Sequence, residues 1–223
     1  MGGVLRISGS GMHCISAYQA LPPGKPKGGV VVVQEIFGVN AHIRDIVDGF
    51  ADQGYAAIAP AFFDHVESDV ELAYDAAGVA RGRSLVAELD IDEVVADVGS
   101  AADAIRSAGR IGVVGYCWGG TVAMLAASRL ELPAVSYYGA RNVGWLHEVF
   151  KAPLQFHFGA NDASIPAMAI ERHRECVPDA EVHVYPAGHG FNCDRRHDFD
   201  TESAALARQR TLAFFERHLA SLP

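Results

Sequence analysis

The sequence predicts an α/β fold, a mostly parallel sheet with helices on both faces. Three observations carry that expectation. Strand-like and helix-like segments alternate from residue 29 onward, as in crossover-connected parallel sheets. The first of those strands, Gly29-Val30-Val31-Val32-Val33-Gln34, is a continuous β-branched run, the pattern of a strand buried on both faces. Half of the 223 residues are hydrophobic, too many for a disordered chain and enough for a full core. No repeat, low-complexity tract or long linker interrupts the chain, so residues 1–223 are read as a single domain.

Each element follows from its own residues. Segments 4–7 and 13–20 read as two short strands around Gly9-Ser10-Gly11, a hairpin at a sheet edge. Leu21-Pro22-Pro23-Gly24-Lys25-Pro26-Lys27-Gly28 is a turn-rich connector. Segment 42–53 carries Ile43, Ile46, Val47 and Phe50 at helical spacing, and Gly54 closes it. Residues 55–59 form the next strand. A helix is expected over 91–107, a strand over 111–114 and an Ala-rich helix over 121–129. Three more strands follow at 134–138, 154–158 and 182–185, with a helical segment over 168–176. The tail, 202–219, is a helix with Leu206, Leu212, Phe214, Phe215 and Leu219. Ligands of such sheets sit beyond the carboxyl ends of the strands, so the chemistry is expected in the residues just after each one.

Charge narrows the partners. There are 27 acidic and 18 basic residues, a formal net charge of -9. A phosphate backbone needs clustered positive charge, so nucleic acid is not an expected partner. No apolar run is long enough to cross a bilayer. Residues 1–20 hold one basic residue, Arg6, and no apolar stretch of signal-peptide type. The expected compartment is therefore cytoplasmic, and the expected partner is a small molecule. Cys14, Cys117, Cys176 and Cys193 form no C-x-x-C pair and are expected to be free thiols.

After the strand at 111–114 comes Gly115-Tyr116-Cys117-Trp118-Gly119-Gly120. This is G-x-C-x-G between a strand and a helix. Its serine version is the nucleophile elbow of α/β-hydrolases. The turn is tight, so the residues two before and two after the nucleophile must lack bulk. The Trp118 N–H then points at a developing oxyanion, and the helix N-terminus favours a thiolate. Two other readings stand beside it. Cys117 could be a buried structural cysteine. Alternatively, Gly112, Gly115, Gly119 and Gly120 could form a nucleotide loop, which wants an acidic residue about twenty positions on. The strand at 134–138 ends in Tyr137-Tyr138-Gly139 without a carboxylate, which argues against the nucleotide. An elbow also predicts an acid and then a histidine, in that chain order. Asp162 follows one strand in Gly159-Ala160-Asn161-Asp162, and His189 follows the next in Ala187-Gly188-His189-Gly190-Phe191. The three side chains can meet over one sheet edge.

With Gln34-Glu35-Ile36-Phe37-Gly38-Val39-Asn40 added, these motifs make the chain resemble the dienelactone hydrolase family, a cysteine-using branch of the α/β-hydrolases. The similarity runs from about Gly29 to the last helix. It implies an α/β-hydrolase fold and cysteine-dependent hydrolysis of an ester or lactone without a cofactor. It further implies catalytic Cys117, Asp162 and His189, with Glu35 as an extra catalytic residue and the Ile36 and Trp118 amides as the oxyanion hole. Glu35 is expected to hold the Cys117 thiol by a hydrogen bond and to take its proton when substrate binds. Well-known members grip a substrate carboxylate with two arginines. By neighbourhood, Arg195 and Arg196 correspond to one, and Arg81 and Arg83 to the other. Tyr138 is a further substrate-binding candidate.

Two other groupings can be read from the sequence. Phe62, Phe63, Trp118, Tyr137, Tyr138 and Trp145 could line an apolar pocket. Cys193, Asp194, His197, Asp198 and Asp200 could hold a metal, but their spacing fits no metal motif and an exposed polar loop is expected there. No metal is expected at the site. A thioesterase, a carbon–carbon hydrolase and a non-catalytic binding protein remain open beside ester or lactone hydrolysis, because fold alone does not decide function.

Overall fold

The computed structural model describes residues 2–219. The N-terminal hairpin pairs β1 (Gly3–Ser8) with β2 (Cys14–Ala20), antiparallel and at the sheet edge. β3 (Gly29–Val33) is buried at every residue. It leads to α1 (Ala41–Asp52), where the Asn40 side chain caps the helix by accepting from Ile43 N at 3.3 Å. Then come β4 (Ala56–Pro60), α2 (Ala76–Glu88), α3 (Ile91–Ala104), β5 (Ile111–Tyr116) and α4 (Trp118–Arg129). β6 (Ala134–Tyr137), β7 (Leu154–Gly159), α5 (Ala167–Cys176), β8 (Glu181–Tyr185) and α6 (Thr201–Leu219) complete the chain.

One eight-stranded sheet results, in the order β1-β2-β4-β3-β5-β6-β7-β8. Its six strands from β3 to β8 are parallel, and the hairpin joins antiparallel to β4. The parallel strands bring the residues after β3, β5, β6, β7 and β8 to one edge. Among the described residues no helix is long and apolar enough to cross a membrane.

The structure departs from the sequence reading at two helices. α4 starts at Trp118, three residues before the expected 121, because the elbow turns the chain within one residue. Residues 118–128 of α4 are all buried, which explains an Ala-rich composition with no polar face. α2 was not expected at all. Its buried face includes Gly78 and Gly82 beside Leu85 and Val86. A Cβ on Gly82 would stand 2.1 Å from the Ile36 carbonyl oxygen. A helix packed through glycine shows no apolar periodicity, although the Asp75 cap, accepting from Gly78 N at 2.7 Å, is a visible start signal.

Candidate active site

The elbow is a local strain held by its neighbours. Cys117 has φ 55° and ψ -119°, a conformation that costs a non-glycine residue roughly 1–3 kcal/mol. Its N–H donates to the Tyr137 carbonyl at 3.0 Å, and its own carbonyl accepts from Gly120 N at 2.9 Å. The flanking glycines are steric requirements. A Cβ on Gly115 would lie 1.8 Å from the Gly119 carbonyl oxygen, and one on Gly119 would lie 2.4 Å from that of Gln34. Any side chain at either position would therefore open the turn. Trp118 is the first residue of α4, so its N–H has no acceptor within the helix.

The other two side chains of the candidate triad, Asp162 and His189, arrive from the loops after β7 and β8. His189 Nδ1 lies 2.7 Å from Asp162 Oδ2, and His189 Nε2 lies 3.2 Å from Cys117 Sγ. An ionised carboxylate only accepts, so Nδ1 carries a proton and Nε2 is left to exchange one with sulfur. Asp162 is itself fixed by accepting from Ser164 N at 2.8 Å. Burial pushes the His189 pKa down, but hydrogen bonds to Asp162 and Cys117 outweigh it and raise it to about 10.

Glu35 lies just past β3 and is 1% exposed. The expected hydrogen bond from the Cys117 thiol to this carboxylate is not made. Oε1 instead accepts from Arg196 Nη1 at 3.1 Å, and Cys117 Sγ faces His189. Electrostatics explains the difference, since a guanidinium satisfies a buried carboxylate better than a thiol does. Oε2 stays buried without a partner. The Arg196 guanidinium also lies 5.8 Å from the Phe37 ring and 5.9 Å from that of Tyr74.

A cleft of about 410 Å³ opens over Cys117 and His189, with Ile36 and Trp118 in its wall. Arg83, Arg141 and Arg196 also line it. Arg83 and Arg196 were among the neighbourhood candidates, whereas Arg141 was missed. Its only signal was its place after β6, three residues beyond Tyr138.

Several candidates stand elsewhere. Arg81 is exposed and pairs with Glu67, and Arg195 is exposed and pairs with Asp45. Tyr138 is fully buried rather than in the cleft wall. Its ring meets His189 edge-on at 5.1 Å and Phe191 at 5.4 Å, so it braces the imidazole. Of the aromatic set, Trp118 reaches the cleft. Phe62, Phe63 and Tyr137 are core residues, and Trp145 lies under Arg129 at 5.1 Å. The loop at 193–200 is not uniformly exposed: Cys193 is buried while Asp194, His197 and Asp198 face solvent, because Cys193 turns inward under Glu35.

Comparisons with known proteins identify the family. The dienelactone hydrolase family model matches residues 15–219. The carboxymethylenebutenolidases of Pseudomonas putida and Pseudomonas knackmussii are each 34% identical over 214 residues, covering 91% of this chain and 91% of their own. A crystal structure from Klebsiella pneumoniae, described as a "putative dienelactone hydrolase", aligns with a TM-score of 0.84 and 33% identity. That alignment covers 96% of this chain and 98% of the other. The α/β-hydrolase fold expected from the motifs is the fold found. The chain belongs to the dienelactone hydrolase family, whose members are hydrolases of the α/β-hydrolase fold.

Proposed function

We propose that the chain hydrolyses a small ester or lactone through a Cys117–His189–Asp162 triad, with Glu35 as a fourth catalytic residue. The observation that carries the reading is the continuous contact from sulfur to imidazole to carboxylate, 3.2 Å and then 2.7 Å, on a strained elbow at the cleft floor. The Cys117 sulfur attacks the substrate carbonyl carbon. The Ile36 and Trp118 N–H groups hold the oxygen that becomes negative. His189 Nε2–H gives its proton to the departing alkoxide, which in a lactone stays tethered to the acyl group. In the resulting thioester the thiolate is gone, so one of the two groups that raise the His189 pKa is lost. The imidazole then takes a proton from water. The hydroxide adds to the thioester, the thiolate leaves, and the carboxylic acid is released. Glu35 Oε2, free of a protein partner, is the atom proposed to take the thiol proton before attack and to return it to the Cys117 thiolate once the acid has left.

The three arginines of the cleft favour an anionic substrate. The Pseudomonas relatives are named for carboxymethylenebutenolide, a lactone that bears a carboxylate. The compartment proposed is the cytoplasm, which fits four free cysteines, one of them exposed. The test is incubation with a 4-nitrophenyl ester and with an anionic enol lactone, followed by acid quench and mass analysis. Turnover and an acyl adduct on Cys117 are expected. Failure to hydrolyse any ester or lactone, charged or neutral, would overturn the proposal.

The pH dependence has a sign. Because His189 titrates at about 10, it keeps its proton for the leaving group below that pH and loses it above. The acylation rate is expected to fall as pH rises through about 10. Asp162→Asn leaves an oxygen that can still accept from Nδ1 but removes the carboxylate charge that, with its hydrogen bond, raises this pKa most, so its alkaline limb should move down toward 6.5. A pH–rate profile of both proteins checks this. An alkaline limb unmoved by Asp162→Asn would assign the titration to another group.

A further inference from the structure

Glu35, His42 and Cys193 come from three separate segments: just after β3, the start of α1, and the loop after β8. A carboxylate oxygen of Glu35, a ring nitrogen of His42 and the Cys193 sulfur all lie within 4.8 Å of one another, and all three residues are buried. Two orphan atoms belong to this group. Glu35 Oε2 and His42 Nε2 are each buried with no hydrogen-bond partner, and native structures rarely leave such atoms unexplained. The remaining polar atoms are already engaged. Glu35 Oε1 accepts from Arg196, and His42 Nδ1 faces Asp194 Oδ1 at 3.4 Å. A carboxylate at one ring nitrogen is the arrangement that orients metal-binding imidazoles and leaves the other nitrogen's lone pair free.

We infer that Cys193 Sγ, His42 Nε2 and Glu35 Oε2 form a binding site for a thiophilic divalent cation of the zinc type. The donor set mixes sulfur, imidazole nitrogen and carboxylate oxygen, which suits zinc and not the hard ions magnesium and calcium. Zinc bond lengths place neighbouring ligand atoms roughly 3.3–3.8 Å apart. Contraction by about 1 Å closes the site, within the reach of small side-chain rotations. The Cys193 thiolate, Glu35 and Asp194 together balance the charge of the ion and of the Arg196 guanidinium that pairs with Glu35, and the fourth position is left for water. The ion has a way in that bypasses the catalytic cleft. His42 and Asp194 line a separate surface cleft of about 350 Å³, and the Asp194 side chain is 63% exposed there.

Occupancy has a functional consequence. The ion would hold the carboxylate oxygen assigned above to the thiol proton, so turnover falls as the site fills. This consequence rests on the proposed role of Glu35, whereas the binding does not.

Cys117 and His189 are a competing sulfur–nitrogen pair, so binding is measured in Cys117→Ala. Titration with Co²⁺ is expected to show one equivalent bound, with a sulfur-to-metal charge-transfer band and the visible bands of a tetrahedral ion. Adding Cys193→Ser should remove the charge-transfer band. Adding His42→Gln should weaken binding at least tenfold. No Co²⁺ bound by Cys117→Ala, or a band that survives Cys193→Ser, would overturn the site. In the otherwise native protein, Zn²⁺ is expected to inhibit ester hydrolysis. Cys193→Ser, scaled to its own metal-free rate, should need at least tenfold more Zn²⁺ for half-inhibition. Equal sensitivity would overturn the inhibitory consequence. A Co²⁺ signal that behaves as expected while Zn²⁺ leaves turnover unchanged would keep the metal site and remove Glu35 from the mechanism.

Discussion

Cys117→Ala is expected to abolish hydrolysis while the protein stays folded. Removing the nucleophile from a comparable triad lowers kcat on the order of a millionfold, and the same scale applies here if Cys117 is the attacking atom. The fold should survive because the substitution keeps the Cβ. The backbone at position 117 is already strained at φ 55°, and alanine occupies that conformation no worse than cysteine. Only the sulfur is lost, from a half-buried site, so the stability change should stay within about 1 kcal/mol. His189→Ala should cost a similar factor, and the double variant little more, since the members of a triad act as a unit. Turnover of a 4-nitrophenyl ester together with a thermal melt makes the comparison. Turnover above about one part in a hundred of wild type, in a protein melting at the same temperature, would show that the nucleophile lies elsewhere.

The meeting of Cys117, His189 and Asp162 was legible in the sequence because each lies within a few residues of the end of its own strand. A parallel sheet converts that local regularity into spatial convergence, so strand ends separated by tens of residues meet at one edge. What depends on rotation around an axis was not legible. Arg81 and Arg83 could not be told apart while α2 went unrecognised. Two positions apart on a helix is about 200° of rotation, and the structure accordingly sends Arg83 to the cleft and Arg81 to Glu67. Tyr138 read as a strand-end aromatic open to substrate. Its φ of 38° lies outside the strand region, and its ring packs fully buried against His189. The Arg196–Glu35 pair joins residues 161 positions apart. No local spacing encodes such a contact, and the same holds for the meeting of Glu35, His42 and Cys193.

Glu35→Gln is expected to lower turnover about a hundredfold to ten-thousandfold, the usual range for loss of a positioned proton acceptor. The amide keeps the size of the side chain, and its oxygen still accepts from Arg196 Nη1. It has no negative charge and cannot take a proton from Cys117. A stability loss should accompany the change, because the Arg196 guanidinium, 18% exposed, exchanges a carboxylate for a neutral acceptor. Hydrogen bonds to charged groups contribute about 1.5–3 kcal/mol, and because the pair is largely buried while a neutral acceptor is retained, the expected loss lies in about that range. Arg196→Gln separates the two effects. It breaks the same ion pair from the other side and leaves the Glu35 carboxylate in place. If Glu35 acts on the thiol, Glu35→Gln lowers kcat and shifts the pH–rate profile, whereas Arg196→Gln chiefly raises KM by removing a guanidinium from the cleft wall. If Glu35 serves only to hold Arg196, the two variants lose stability and activity in parallel and the pH–rate profile of Glu35→Gln overlays that of the wild type. Overlaid profiles would leave Cys117, His189 and Asp162 to carry the chemistry alone, with His189 as the sole group able to take the thiol proton.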